Sequence, residues 1–158
     1  MFIDDTASMT VQQMKAKLRR VKDLGLVIID YLQLMESTSK SDNRVTVVSE
    51  ITRQLKVMAK ELNVPVILLS QLSRAVEGRN DKRPMLSDLR ESGSIEQDAD
   101  IVLFLYRDAY YNKESTRQNV SECIVAKNRH GEVGTVELIW DGQFTRFSNM
   151  DTSTPPEG

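Results

Sequence analysis

Leu26-Val27-Ile28-Ile29-Asp30 is a run of apolar residues that stops abruptly on a carboxylate. A short apolar run without polar interruption fits a strand covered on both faces, as in a parallel sheet, better than the alternating strand of a half-solvated antiparallel one. Working upstream, Ser8 or Thr10 can cap a helix in which Val11, Met14, Leu18 and Val21 recur at three- and four-residue spacing, with Gly25 at its stop. That pattern predicts a helix over about residues 9 to 24. Downstream, Glu36 to Arg44 is a polar loop, and Val48, Ile51, Leu55, Met58 and Leu62 form a second helical stripe closed by Asn63 and Pro65. Val64 to Leu69 then repeats the buried-strand pattern and runs into Ser70 and Gln71. Leu72 to Pro84 carries Arg74, Glu77, Arg79, Asp81, Lys82 and Arg83, an exposed loop by composition. A helical stretch around Ser94 to Asp98 precedes a third apolar run, Ile101 to Tyr106. Apolar strands separated by helices predict right-handed crossovers and a three-layer α/β sheet.

The pattern changes after Ser121. Cys123 to Lys127, Gly134 to Trp140 and Gln143 to Phe147 read as short strands, joined by Asn128 to Gly131 and by Asp141-Gly142, the latter a hairpin-turn pair. The expected sheet is therefore mixed, mostly parallel with antiparallel strands appended. Residues 1–148 are expected to form one folded unit, and 149–158 a flexible tail.

A chain of 158 residues buries roughly 68 to 70% of its unfolded surface, enough for a core. Twenty-one Lys and Arg face 23 Asp and Glu, so no whole-surface positive field exists to hold nucleic acid, and any such contact must be local. No apolar stretch has the length of a signal sequence or membrane span, so the expected location is cytoplasmic. Cys123 and His130 are each the single residue of their type, which leaves no protein-only metal set, Cys-His dyad or Ser-His-Asp triad. Cys123 is expected in the core, and Tyr110-Tyr111 reads as loop packing, although it could stack on bases.

Asp30 stands where open α/β sheets bind ligands, at the carboxyl end of a parallel strand, and a carboxylate there can orient the water shell of Mg²⁺. It is equally the pattern of an Asp that caps the next turn. Gln71 holds the equivalent place on the next strand, where its amide could bond a terminal phosphate or an attacking water, or simply be solvated. No loop of the form G-x-x-x-x-G-K-[ST] occurs in the sequence. Asp88-Leu89-Arg90-Glu91-Ser92-Gly93-Ser94 offers a cation, a glycine and a helix start to a phosphate backbone, but also fits a capped helix with a surface ion pair. Lys127 and Arg129 flank a tight turn and present two cations, a pattern that paired charges at a hairpin tip also show when they are simply solvated.

Taken together, Leu26 to Met35, Val66 to Arg74, Arg90 to Asp100 and Lys127 to Gly131 resemble, in order and spacing, successive motifs of the DnaB-type replicative helicase family. The resemblance spans Phe2 to about Phe147. It implies a RecA-like P-loop NTPase fold, six copies of which ring single-stranded DNA with ATP between neighbouring subunits. Asp30 then resembles the Walker B aspartate that holds Mg²⁺ through water, and Gln71 the sensor of the γ-phosphate. Lys127 and Arg129 resemble a lysine and an arginine finger that reach the neighbouring subunit's ATP, and Arg90, Glu91 and Gly93 the central-channel loop that grips DNA. The family further implies a homohexamer, a primase and a helicase loader as partners, and 5′ to 3′ translocation.

In relatives the phosphate-binding loop, the acidic residue that activates water and the primase-binding domain lie upstream of the position of Met1. The chain alone is therefore expected neither to bind ATP tightly nor to hydrolyse it, and to leave a sheet edge open to self-association. Lys127-Asn128-Arg129 followed by Gly131 is also similar to a RadA-type recombination ATPase, and a non-catalytic docking module is a third possibility.

Overall fold

The computed structural model describes residues 1–39 and 41–150, and the side chains of residues 90–92 are outside that description. Most of the expected tail, from residue 151 on, also falls outside it. The chain divides into two compact units: residues 1–73 with 87–99, and residues 74–86 with the chain from Asp100 onward.

In the first unit the order is β1 (Met9–Thr10), α1 (Val11–Leu18), β2 (Val27–Ile29), β3 (Met35–Glu36), α2 (Arg44–Leu62), β4 (Val66–Leu68) and α3 (Gly93–Asp98), with a 3-10 turn over Leu32–Leu34. Thr10 caps α1 through a reciprocal pair: its hydroxyl accepts from the Gln13 N–H at 3.3 Å, and Gln13 Oε1 accepts from the Thr10 N–H at 2.9 Å. The helix stops at Leu18, well short of residue 24. Bonding tightens there, with the Arg20 and Val21 N–H groups donating to Lys17 and Leu18, and Asp23 then takes a left-handed φ of 54°. α2 is bracketed as its sequence suggested. Asn43 accepts from the Val45 N–H at 2.9 Å, and Asn63 ends the helix in the left-handed region at φ 52°.

Val48, Ile51, Leu55 and Met58 of α2 pack with Val11, Val27, Ile29, Leu32 and Val64 to form the core of this unit, and Ile95 of α3 packs against it. β2 and β4 pair in parallel, Val27 to Val66 and Ile29 to Leu68. β1, at Met9 and Thr10 where the helix was expected to begin, pairs in parallel with β3, whose Glu36 was expected to open the polar loop. The expectation that β2 and β4 are covered on both faces fails: Val27 and Ile29 are buried, while Ile28 is 62% and Ile67 50% exposed. The core packs against one face of this ladder, so alternate side chains point away from it.

The second unit is an antiparallel sheet of order β5-β6-β7-β8, built from β5 (Ile101–Tyr106), β6 (Val120–Asn128), β7 (Gly134–Asp141) and β8 (Arg146–Asn149), with α4 (Asp108–Tyr111) after β5. β5 was expected to extend the parallel sheet; among the described residues it bonds only β6, antiparallel. Its burial alternates, Val102, Phe104 and Tyr106 inside and Ile101, Leu103 and Leu105 outside. β6 begins three residues before the expected Cys123. Cys123 itself is half-buried rather than in the core, because it pairs with Leu105 on the exposed face. The β5–β6 register shifts once. Leu103 faces Val125 and Val102 faces Lys127, leaving Ala126 unmatched, a bulge of one residue. β8 starts at Arg146 rather than Gln143 because residues 142–145 form the turn, with Asp141 accepting from the Gln143 N–H at 3.2 Å and Thr145 left-handed at φ 50°.

Candidate functional site

Two constellations emerge, one in each unit. In the first, β2 and β4 carry Asp30 and Gln71 beyond their carboxyl ends, Gln71 two residues further along than the position level with Asp30. The parallel pairing continues past the strands, with the Leu69 N–H donating to Ile29 O at 3.0 Å and the Leu32 N–H to Leu69 O at 2.9 Å. Asp30 follows β2 directly, Gln71 lies just beyond β4, and both are exposed at the carboxyl ends of adjacent parallel strands. The Asp30–Tyr31 peptide is cis. Gln33, which the sequence reading did not single out, braces the same corner. Its Oε1 accepts from the Gln71 N–H at 3.3 Å and its Nε2 donates to Ser70 Oγ at 3.3 Å. A lone exposed carboxylate at this position suits Mg²⁺, which keeps most of its waters and takes one or two carboxylates plus substrate phosphates.

The stretch from Arg90 to Gly93 belongs to the same unit. Arg90 and Glu91 lie in the 3-10 segment Leu86–Ser92, and their side chains are among those not described. Gly93 opens α3 and is exposed. α3 is tied to α2 where Thr52 Oγ1 donates to Asp98 Oδ2 at 2.6 Å.

The second constellation sits at the end of β6. Lys127 pairs with Val102, and the Arg129 N–H donates to Asp100 O at 2.9 Å, so both side chains issue from the face that holds Val102, Phe104 and Tyr106. Arg129 Nε stands 3.7 Å from Asp100 Oδ1. The turn is held by Asn128, whose Oδ1 accepts from the His130 N–H at 3.2 Å and whose Nδ2 donates to Glu132 O at 3.3 Å. A Cβ on Gly131 would come within 2.6 Å of that Nδ2, so a side chain there would require the Asn128 amide to turn aside.

A cavity of about 240 Å³ in the same unit is lined by Arg107, Tyr106, Tyr110, Tyr111, Trp140 and Phe147 among others. The Arg107 guanidinium lies 5.1 Å from the Trp140 ring and 6.0 Å from that of Tyr110. Tyr106 and Tyr111 stack at 6.0 Å, and Trp140 meets Phe147 at 4.7 Å. The Tyr106 phenol, pushed up to about 12 by burial and by its bond to Asp108, stays a donor at neutral pH. Tyr110 and Tyr111 thus help wall a cavity, beyond the loop packing expected of them. Arg107 and Trp140 escaped notice because a strand-end arginine and a strand tryptophan carry no motif, and only the register brings them together.

Residues 1–149 match the family model described as the DnaB-like helicase C terminal domain. The chain belongs to the DnaB-like helicase family. It is 58% identical over 154 residues to the replicative DNA helicase DnaB of Geobacillus stearothermophilus, covering 95% of this chain and 34% of that protein. It is 56% identical to the replicative DNA helicase DnaC of Bacillus subtilis, covering 98% and 36% respectively. The chain thus spans about a third of the length of these relatives. Among solved structures, one of an isolated ATPase domain matches with a TM-score of 0.89 at 53% identity, over 92% of this chain and 53% of that one. A DnaB-like replicative helicase, described with its interactions with primase, matches at 0.90 and 53% identity, over 94% and 38%. The fold of this DnaB-family chain is accordingly RecA-like, mixed α/β with parallel and antiparallel sheets. Nothing favours the RadA-type or docking-module readings over it. Among the described residues no helix is long and apolar enough to cross a membrane.

Proposed function

We propose that the protein serves in a replicative DNA helicase that couples ATP hydrolysis at subunit interfaces to translocation on single-stranded DNA and duplex unwinding. The observation that carries this reading is that Asp30 and Gln71 both follow the carboxyl ends of two hydrogen-bonded parallel strands, in a chain of this family. Asp30 holds Mg²⁺ through water, and Gln71, braced by Gln33, bonds the γ-phosphate of ATP. Lys127 and Arg129 act on the ATP of the neighbouring subunit in a homohexamer, adding positive charge where the transition state accumulates negative charge. Arg90, Glu91 and Gly93 contact the DNA backbone, which lets a chain of net charge −2 hold DNA through a few local contacts repeated around a ring.

Residues 1–148 form part of the ATPase domain in this reading, with 149–158 as a tail. Primase and a helicase loader are the macromolecular partners besides DNA, and the setting is cytoplasmic. The test is ATP turnover and single-stranded DNA binding in a full-length form carrying each variant. Arg129→Ala and Asp30→Ala are expected to cut turnover at least a hundredfold with DNA binding retained, and Arg90→Ala to weaken DNA binding first. Equal losses in both assays for Arg129→Ala and Arg90→Ala would overturn the assignment.

A further inference from the structure

The excursion Arg74–Leu86 belongs to the second unit although the chain on either side belongs to the first. Its mouth is closed by the Ser73 N–H, which donates to Asp88 O at 3.0 Å. Inside it, cations turn inward onto backbone carbonyls. Arg79 donates to Asp81 O at 3.2 Å and Arg83 O at 2.8 Å, Lys82 donates to Glu77 O at 2.8 Å, and Asp81 accepts from the Arg83 N–H at 2.9 Å. Residues 77–83 are therefore a self-braced turn.

From that turn the Arg83 side chain reaches the sheet. Its Nε and Nη2 donate to the two oxygens of Glu122 at 2.9 and 2.8 Å, and its guanidinium lies 4.8 Å from the Tyr106 ring. Glu122 is 7% exposed on β6 and receives a second guanidinium, Arg117 Nη1, at 3.3 Å. Arg117 in turn bonds Glu137 on β7. A fork-on-carboxylate contact is directional, fixing orientation as well as distance. Buried ion pairs can often be replaced by apolar pairs with little loss of stability, so their particular contribution is geometric.

We propose that Arg83 and Glu122 are positioning residues that fasten this excursion to β6. The excursion begins shortly after Gln71 and ends shortly before Arg90, while Glu122 precedes Lys127 by roughly 17 Å of extended strand. The pair thus ties the Arg74–Leu86 excursion to the strand that carries Lys127 and ends just before Arg129. The link to catalysis rests on the roles proposed above for those residues; the fastening does not.

Hydrogen exchange on the 158-residue chain tests the fastening directly. Arg83→Gln and Glu122→Gln are each expected to speed exchange of amides 77–83 at least tenfold while the β6–β7 ladder keeps its protection, and the double variant to do no more than either alone. Arg83→Lys, which keeps the charge and loses the fork, is expected to fall between. In a full-length form, Arg83→Gln is expected to lower kcat for ATP about tenfold with KM unchanged, whereas a pair that merely cements the sheet would lower Tm and leave the kcat of folded protein alone. Unchanged exchange at 77–83, or exchange that rises equally throughout the sheet, overturns the proposal. A wild-type full-length form without DNA-stimulated turnover would sink the helicase reading and still leave the exchange result to decide the fastening.

Discussion

The two units of this chain are held together by different physics. In the first, α2 lays Val48, Ile51, Leu55 and Met58 on a cluster of other apolar side chains, and the strands contribute short ladders. In the second, a long antiparallel ladder carries polar groups in its buried positions, Ser121 and Glu122 on β6 and Ser115 before it, and joins Glu122 to its surroundings by ion pairs. Apolar burial is non-directional and tolerates adjustment, whereas a buried carboxylate with two guanidiniums tolerates little. The first unit thus rests mainly on apolar cohesion, and the second adds directional contacts that fix orientation.

The largest break in this contrast should come from Met58→Ala. Met58 is 1% exposed, and emptying its site should cost about 3 kcal/mol in denaturant unfolding, with exchange accelerated in residues 44–62 first. Glu122→Gln should follow at about 2 kcal/mol, less than a fully buried pair because Arg83 remains partly in water, with exchange rising in residues 77–83 before the β6–β7 ladder. The same group gives a pH signature. Hydrogen bonds from Arg83, opposed by burial and aided by the charges of Arg83 and Arg117, hold the Glu122 carboxyl below its ordinary 4.5. A depressed carboxyl stabilises the fold above its unfolded pKa and loses that contribution as pH falls through the folded one. Melting from pH 6 downward should therefore show a loss below about pH 4.5 that Glu122→Gln lacks.

Thr52→Val, which deletes the 2.6 Å bond to Asp98, should cost about 1 kcal/mol and loosen α3. Ile28→Thr, on the outward face of β2, should fall within about 0.5 kcal/mol of wild type; a large loss there would mean that this face is packed in solution.

Much of this was legible in the residues. The stripe of α2, its Asn63 stop, the apolar strands and the carboxylate at the end of β2 follow from periodicity and strand-end chemistry. Asp30 and Gln71 could be placed beyond the carboxyl ends of neighbouring strands because both apolar runs stop on polar residues, although the register sets Gln71 two residues further along. Strand partners were less accessible. The run Ile101 to Tyr106 has the same composition as a parallel strand, and only its pairing with β6 shows that half of it faces outward. α1 ended early because a tightened turn and a left-handed Asp23 intervene, neither of which Gly25 signals. The Arg83–Glu122 pair joins residues separated by 39 positions, and no local pattern announces a contact at that range.

The unmatched Ala126 bears on how such a sequence tolerates changes of length. Before it, even-numbered residues of β6 share a face with Phe104 and Tyr106; after it, Lys127 and Arg129 do. Removing that single residue would leave every residue of β5 opposite the same side chain, so the strand carries slack at one point, next to the two cations. A deletion at that point would keep both cations on their face, while the loss of any neighbouring residue with the bulge retained would turn them to the other side. Length variation near this turn is thus survivable at one position and disruptive at those beside it.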